Sequence, residues 1–286
     1  MTKILVCGAK GQLGSSLSEI AANYPEFNLD LTDIENLDIL DPISLEHYVK
    51  ETKPAYIINC AAYTAVDKAE TEREKAFSLN AEAVKNLLNA ANQFSIRLIH
   101  ISTDYVFNGR NHIPYKEHDI TDPDSVYGLS KLKGEMYLED SENAIIIRTS
   151  WLYSQFGQNF MKTVLRIGGS MDEIKIVFDQ IGTPTFAGDL AECILKIIKI
   201  SEENSSRFAP GIYHYSNEGV ASWYDFALEI VNMQGLKTKV KPIETSEYPL
   251  PAPRPQYSVL NKRKIKDTFG IVIPHWKDSL RKCLNI

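Results

Sequence analysis

Lys3-Ile4-Leu5-Val6-Cys7-Gly8-Ala9-Lys10-Gly11-Gln12-Leu13-Gly14 opens the chain with an apolar run and then three glycines spaced three apart. Residues 3–7 read as a short buried strand, and residues 15–23 read as a helix. Strand, glycine turn and helix start make a dinucleotide site. Small residues let the backbone approach a pyrophosphate, and amide groups at the helix N-terminus bind its charge. On this reading Gly8, Lys10, Gly11, Gln12, Leu13 and Gly14 border the cofactor.

The alternation continues outward. Residues 27–30 read as a second strand, 44–51 as a helix and 55–60 as a buried strand. Residues 76–93 read as a long amphipathic helix and 97–102 as the next strand. This order predicts an α/β fold, a Rossmann-type doubly wound parallel sheet, and 286 residues leave room for a smaller α/β substrate-binding lobe. In such sheets ligands bind beyond the carboxyl ends of the strands, so Gly8, Ala61, Thr103 and Thr149 are expected to converge there. Further on, 159–166, 187–199 and 222–233 read as helices, the last with Ser222 as N-cap, followed by a proline-rich loop over 242–255.

Thr103 lies in Ser102-Thr103-Asp104-Tyr105, and Tyr127 precedes Lys131 by four residues in Tyr127-Gly128-Leu129-Ser130-Lys131. Residues four apart share a helix face, which predicts the Lys131 ammonium beneath the Tyr127 phenol, lowering its pKa. A phenol so tuned passes a proton near neutrality, and the Thr103 hydroxyl holds the same substrate oxygen. The chemistry implied is hydride transfer at a carbonyl. Asp30, about twenty residues past the glycines, suits ribose hydroxyls and favours NAD, whereas Lys10 suits a 2′-phosphate, so NADPH and NADH both stay open. Arg254 is the candidate for a substrate diphosphate, since a guanidinium pairs with phosphate oxygens. The run Lys262, Arg263, Lys264 and Lys266 reads as a solvated helix face.

A net charge of −6 argues against a general nucleic-acid or membrane-surface binder. Cys7, Cys60, Cys193 and Cys283 are far apart, the six histidines include no close pair, and no metal is expected. A strand beginning at residue 3 with no charged leader, and the lack of any apolar run of spanning length, lead to the expectation of a cytoplasmic enzyme with reduced thiols.

Gly-x-x-Gly-x-x-Gly with Tyr-x-x-x-Lys resembles the extended short-chain dehydrogenase/reductase superfamily. Within it the chain resembles the dTDP-4-dehydrorhamnose reductase family, nearly end to end. The matching segments are Gly11-Gln12-Leu13-Gly14, residues 59–70, Ser102-Thr103-Asp104-Tyr105 with 106–109, Tyr127-Gly128-Leu129-Ser130-Lys131, residues 148–153 and 179–185, and Pro253-Arg254-Pro255. The resemblance implies NADPH- or NADH-dependent reduction of dTDP-4-dehydro-L-rhamnose to dTDP-L-rhamnose, the last step of dTDP-rhamnose synthesis. It implies Ala61, Ala62 and Thr64 beside the cofactor, Asp38 and Ile39 near the adenine, and Thr149 and Ser150 at the nicotinamide. Tyr127 and Lys131 also touch the cofactor, and Asp104, Tyr105 and Trp151 line the sugar pocket. It further implies that the chain crosses between domains, with 1–152 and 181–222 in the dinucleotide-binding domain and 153–180 and 223–286 in the substrate lobe.

Two other functional readings share the fold. One is the non-catalytic regulatory subunit of a methionine adenosyltransferase, and the other is a different nucleotide-sugar reductase or epimerase. Ser15-Ser16 stands where some relatives carry an acidic residue for a dimer-bridging magnesium, so a monomer or weak homodimer is expected.

Overall fold

The computed structural model describes residues 1–286. Strand β1 (Thr2–Cys7) leads into helix α1 (Gln12–Ile20), then β2 (Phe27–Thr32), α2 (Pro42–Thr52) and β3 (Tyr56–Asn59). After two short helices, α3 (Val66–Ala69) and α4 (Arg73–Phe77), come α5 (Ala83–Phe94), β4 (Arg97–Thr103), α6 (Val126–Leu138) and β5 (Ala144–Thr149). The lobe begins with β6 (Leu152–Tyr153), α7 (Phe160–Gly168), β7 (Glu173–Val177), β8 (Ile181–Gly182) and β9 (Thr185–Phe186). Helix α8 (Ala187–Glu203) and β10 (Gly211–His214) then return to the main sheet. The chain finishes with β11 (Ala221–Ser222), α9 (Trp223–Met233), β12 (Lys239–Ile243), α10 (Arg263–Phe269) and α11 (Trp276–Leu284).

The main sheet is parallel throughout, in the order β10-β5-β4-β3-β1-β2. Side chains alternate along a strand, and both faces of this sheet are covered. Ile4 and Val6 join Leu13 and Leu17 of α1 and Leu190, Ile194 and Ile198 of α8 in one core. Leu5 and Cys7 point the other way, against Leu45 and Val49 of α2 and Val84 and Leu87 of α5. The strand order reverses between β1 and β3, which opens a crevice at their carboxyl ends.

Each helix expected from the sequence exists, with shifted ends. Helix α1 begins three residues earlier than expected because its first turn is the glycine loop itself. The helix expected over 76–93 is interrupted. A π-helical turn, Ser78–Glu82, separates α4 from α5, and the Asn80 side chain leaves the helix surface to bind Tyr63 N, Tyr63 O and Ser130 Oγ. Helix α6 crosses there at Gly134, where any Cβ would collide with Asn80 O.

The lobe has its own core, built from Tyr153, Met161, Val164, Ile174, Phe226, Ile230, Trp276 and Leu280. Residues 263–273, expected in this lobe, depart from that division. Ile265, Phe269, Ile271 and Ile273 pack in the α1/α8 core of the main sheet, whose edge strand β10 exposes apolar surface that they cover. The basic run at 262–266 is also not uniformly solvated. Lys262 is buried, 3.4 Å from Glu218 Oε2, while Arg263 stays exposed.

Helix α6 is fastened to the sheet by a buried ion pair. Arg148 Nη2 lies 2.7 Å from Glu135 Oε2, with both side chains 3% exposed, and Ser102 Oγ donates to Glu135 Oε1. Removing one partner of such a pair leaves an uncompensated buried charge. Glu135→Gln is therefore expected to lower stability by about 3–5 kcal/mol in urea unfolding. A loss within experimental error would show that the pair does not anchor the helix.

Candidate active site

Gly8 has φ +77°, and a Cβ there would stand 2.6 Å from Ala61 N, so only glycine lets β1 pass β3 this closely. Gly11 is the N-cap of α1, with no side-chain cap and no acidic residue in the first turn. A Cβ on Gly11 would meet only Gly8 O, at 3.3 Å. The first amides of α1 thus face an open cradle, as a diphosphate requires. Gln12 uses its side chain elsewhere. It joins the loop to the lobe, accepting from Ser154 Oγ at 3.1 Å and Asn159 Nδ2 at 2.9 Å.

Beside the cradle, Gly8, Asp38, Ile39 and Ala61 line one cavity of about 530 Å³, together with Asp33 and Tyr63. Ala62 and Thr64 follow on the adjoining segment, outside that lining. Asp30 does not reach the cavity either. Its carboxylate accepts from Tyr48 OH at 2.9 Å on α2, because it sits two residues before the end of β2. The acidic residue at the strand's end is Asp33, which accepts from Lys10 N at 3.0 Å. The spacing from the glycines selects Asp30, whereas the cavity is lined by Asp33, three residues on. Lys10 Nζ pairs with Glu35 at 2.6 Å on the exposed rim of the loop.

At the carboxyl edge of β4 and β5, Thr103 and Thr149 are register partners. Thr149 Oγ1 is buried without a hydrogen-bond partner. An orphaned hydroxyl at this edge fits a ligand group arriving from the crevice. Ser150 Oγ is already engaged, donating to Thr183 O at 2.8 Å. Thr103 Oγ1 donates to Asp104 Oδ1 at 3.1 Å and accepts from Tyr105 N at 3.2 Å. Tyr127 is the second residue of α6, capped by Ser125 Oγ, and its ring meets that of Tyr105 edge-on at 5.5 Å.

The expected coupling of Lys131 to Tyr127 is not what the side chains do. Lys131 Nζ donates to Ile101 O at 2.6 Å and lies 3.3 Å from His100 Nε2, since the next turn of α6 runs deeper against β4. Burial pushes the Tyr127 phenol up to about 12, with the Thr103 hydroxyl opposing it. Burial also pulls the Lys131 ammonium down to about 8, with the Glu135 carboxylate opposing it.

Two residues expected to meet the substrate carry constraints the sequence did not announce. Trp151 has φ +47°, a conformation that is costly for a bulky residue, and its indole stacks on Trp223 at 3.6 Å, with Gly182 behind it. Trp223 had no motif to mark it. Arg254 is neither free nor superficial. It donates to Asp67 Oδ2 at 2.8 Å, and Ala252 N donates to Asp67 Oδ1 at 3.2 Å, which docks the proline-rich loop beside Tyr105.

The fold and the cleft define an α/β protein of the Rossmann type with a glycine cradle and a Thr–Tyr–Lys group at the carboxyl edge of its sheet. The family model of the RmlD substrate binding domain matches residues 1–286, and the chain belongs to that family. It is 40% identical over 285 residues to SpsK, a spore coat polysaccharide biosynthesis protein of Bacillus subtilis, covering 99% of this chain and 97% of the relative. Its structure is similar to a dTDP-4-dehydrorhamnose reductase from Clostridium acetobutylicum, with TM-score 0.93, 40% identity and 99% of each chain covered. A Bacillus anthracis dTDP-4-dehydrorhamnose reductase in complex with NADP gives TM-score 0.94 at 37% identity, covering 100% and 99%. No helix is long and apolar enough to cross a membrane.

Asp104 supplies a test of the cleft's polarity. Its carboxyl is 2% exposed, Oδ2 has no partner, and burial raises its pKa from 3.8 to about 6 despite the Ser258 and Thr103 hydroxyls. The folded chain holds this proton longer than the unfolded one. The resulting stability is complete below the unfolded value and is lost as pH rises through about 6. Asp104→Asn is expected to gain about 2–3 kcal/mol on the parent between acidic and neutral pH. Urea unfolding at both pH values checks this, and a constant difference would refute it.

Proposed function

We propose that the chain is an NAD(P)H-dependent oxidoreductase that reduces dTDP-4-dehydro-L-rhamnose to dTDP-L-rhamnose, the closing step of dTDP-rhamnose synthesis. The observation that carries this reading is the Thr103 hydroxyl set between the Tyr127 phenol and the orphaned Thr149 hydroxyl, at the same carboxyl edge of the sheet as the uncapped α1 N-terminus. Full-length similarity to reductases of that name supports the substrate. The names of these relatives weigh against a non-catalytic regulatory subunit of a methionine adenosyltransferase and against an epimerase.

When bound, the cofactor supplies the hydride. Thr103 and Tyr127 bracket the carbonyl oxygen from the end of β4 and the start of α6. The high pKa of the Tyr127 phenol keeps its proton on at neutral pH, so a donor is always loaded when the oxygen gains charge. The proton then passes to that oxygen and the ketone becomes an alcohol, and the phenolate left behind feels the Lys131 charge only at a distance, since Nζ is held by Ile101 O and His100. Burial of this face of the cleft strengthens each of these interactions.

The stacked Trp151 and Trp223 form a flat apolar wall of the kind a deoxy-sugar face prefers. Arg254, already balanced by Asp67, meets the diphosphate as the outer member of a charge triad. Lys10, on the rim, is the cation available to a 2′-phosphate, and Asp33 is the acceptor available to ribose hydroxyls. These residues suit NADPH and NADH respectively.

Tyr127→Phe is expected to bind NADPH as the parent does and to lower turnover by about two to four orders of magnitude. Loss of 340 nm absorbance with freshly generated dTDP-4-dehydro-L-rhamnose, run with each cofactor, reads this directly. Retained turnover would remove Tyr127 from the mechanism, and no oxidation by the parent chain would remove the substrate assignment.

A further inference from the structure

We propose that Asn59 and His100 form a buried positioning pair that favours the neutral amine of Lys131, and so sets the pH at which the Tyr127–Lys131 couple gives up its first proton. The kinetic part of this proposal rests on the reductase reading above. The structural part does not.

A backbone N–H can only donate. The Ala61 backbone N–H lies 3.1 Å from Asn59 Oδ1, so that atom is the amide oxygen. Asn59 Nδ2 therefore faces His100, 3.1 Å from Nδ1, and donates to it. His100 is fully buried, and burial with the nearby Lys131 charge holds its pKa well below the ordinary value, so the ring is neutral. A neutral ring accepting at Nδ1 carries its hydrogen on Nε2. That hydrogen points to Lys131 Nζ, 3.3 Å away.

An ammonium has three donors and no lone pair, so protonated Lys131 meets His100 donor to donor. The neutral amine accepts from Nε2–H and still donates to Ile101 O at 2.6 Å. The other titratable groups facing Nζ are either already paired or neutral. Glu135, on α6, is paired with Arg148, and Cys60, after β3, is buried with its thiol pushed up and so stays neutral. Tyr127, on the preceding turn, is also neutral through the same range. The His100 donor is thus an oriented dipole on Lys131 whose sign is fixed by a backbone amide just beyond β3.

The experiment follows the lysine 13Cε resonance of Lys131 in the full chain as pH is raised, assigned by its absence in Lys131→Met. His100→Leu removes the donor, and the midpoint is expected to rise by about one pH unit. If His100 only fills space, leucine makes the site more apolar and the midpoint falls or stays, which overturns the proposal. Asn59→Asp offers a second route that changes no volume. A carboxylate accepts from both Ala61 N–H and His100 Nδ1–H, turns Nε2 into an acceptor for the ammonium, and is expected to raise the midpoint as well. An unmoved midpoint in a folded Asn59→Asp chain also overturns the pair. In turnover assays the basic limb of the kcat/KM profile is expected to move with the midpoint, and a limb that stays while the midpoint moves overturns the coupling to proton donation. A parent chain that reduces no keto sugar ends the reductase reading, and the resonance midpoints still decide the network.

Discussion

The backbone contact between Gly8 and Ala61 is the constraint from which the functional end of this molecule follows. It brings β1 against β3 at the place where strand order reverses, and a crevice opens there in a sheet covered on both faces. The same contact leaves the Ala61 amide turned inward, where Asn59 accepts it. From that bond a line of buried polar groups runs through His100 to Lys131. The cradle and the proposed proton-handling group therefore share a backbone anchor.

Helix α6 is held by close approach and charge together. Gly128 passes the carbonyl of Tyr105, Gly134 passes that of Asn80, and Glu135 closes on Arg148. The π-helical turn at Asn80 is the matching distortion on the other helix. It sacrifices regular hydrogen bonding so that one side chain can tie Tyr63 and Ser130 together. Tyr127 inherits its position from these contacts, because the start of α6 has no freedom left.

The lobe is joined to the sheet by side chains rather than by apolar area alone. Gln12 reaches from the glycine loop to Ser154 and Asn159, and Arg254 reaches back to Asp67. Trp151 sits at the junction in a left-handed conformation, kept there by the Trp223 ring and the space at Gly182. A substrate wall built on such a residue is shaped by both parts of the chain at once.

The chain's periodicity was enough to read the parallel sheet and its helices, because a strand buried on both faces and an amphipathic helix each write their environment into local sequence. The glycine loop, Thr103, Tyr127 and Lys131 could be singled out as candidates because each lies in a short motif whose chemistry needs neighbouring residues. The short strands of the lobe were not, since pairs such as β6–β9 and β8–β11 are only two residues long and owe their existence to partners distant in sequence. Nor was the return of 263–273 to the main core, the choice of Asp33 over Asp30 at the cavity, or the Trp223 partner of Trp151. Local sequence determined which residue types were present and how they repeat along the chain. Tertiary structure decided which way Lys131 points and which hydrogen it meets there, because burial, hydrogen-bond direction and a fixed backbone donor beyond the end of β3 are properties of the packed chain alone.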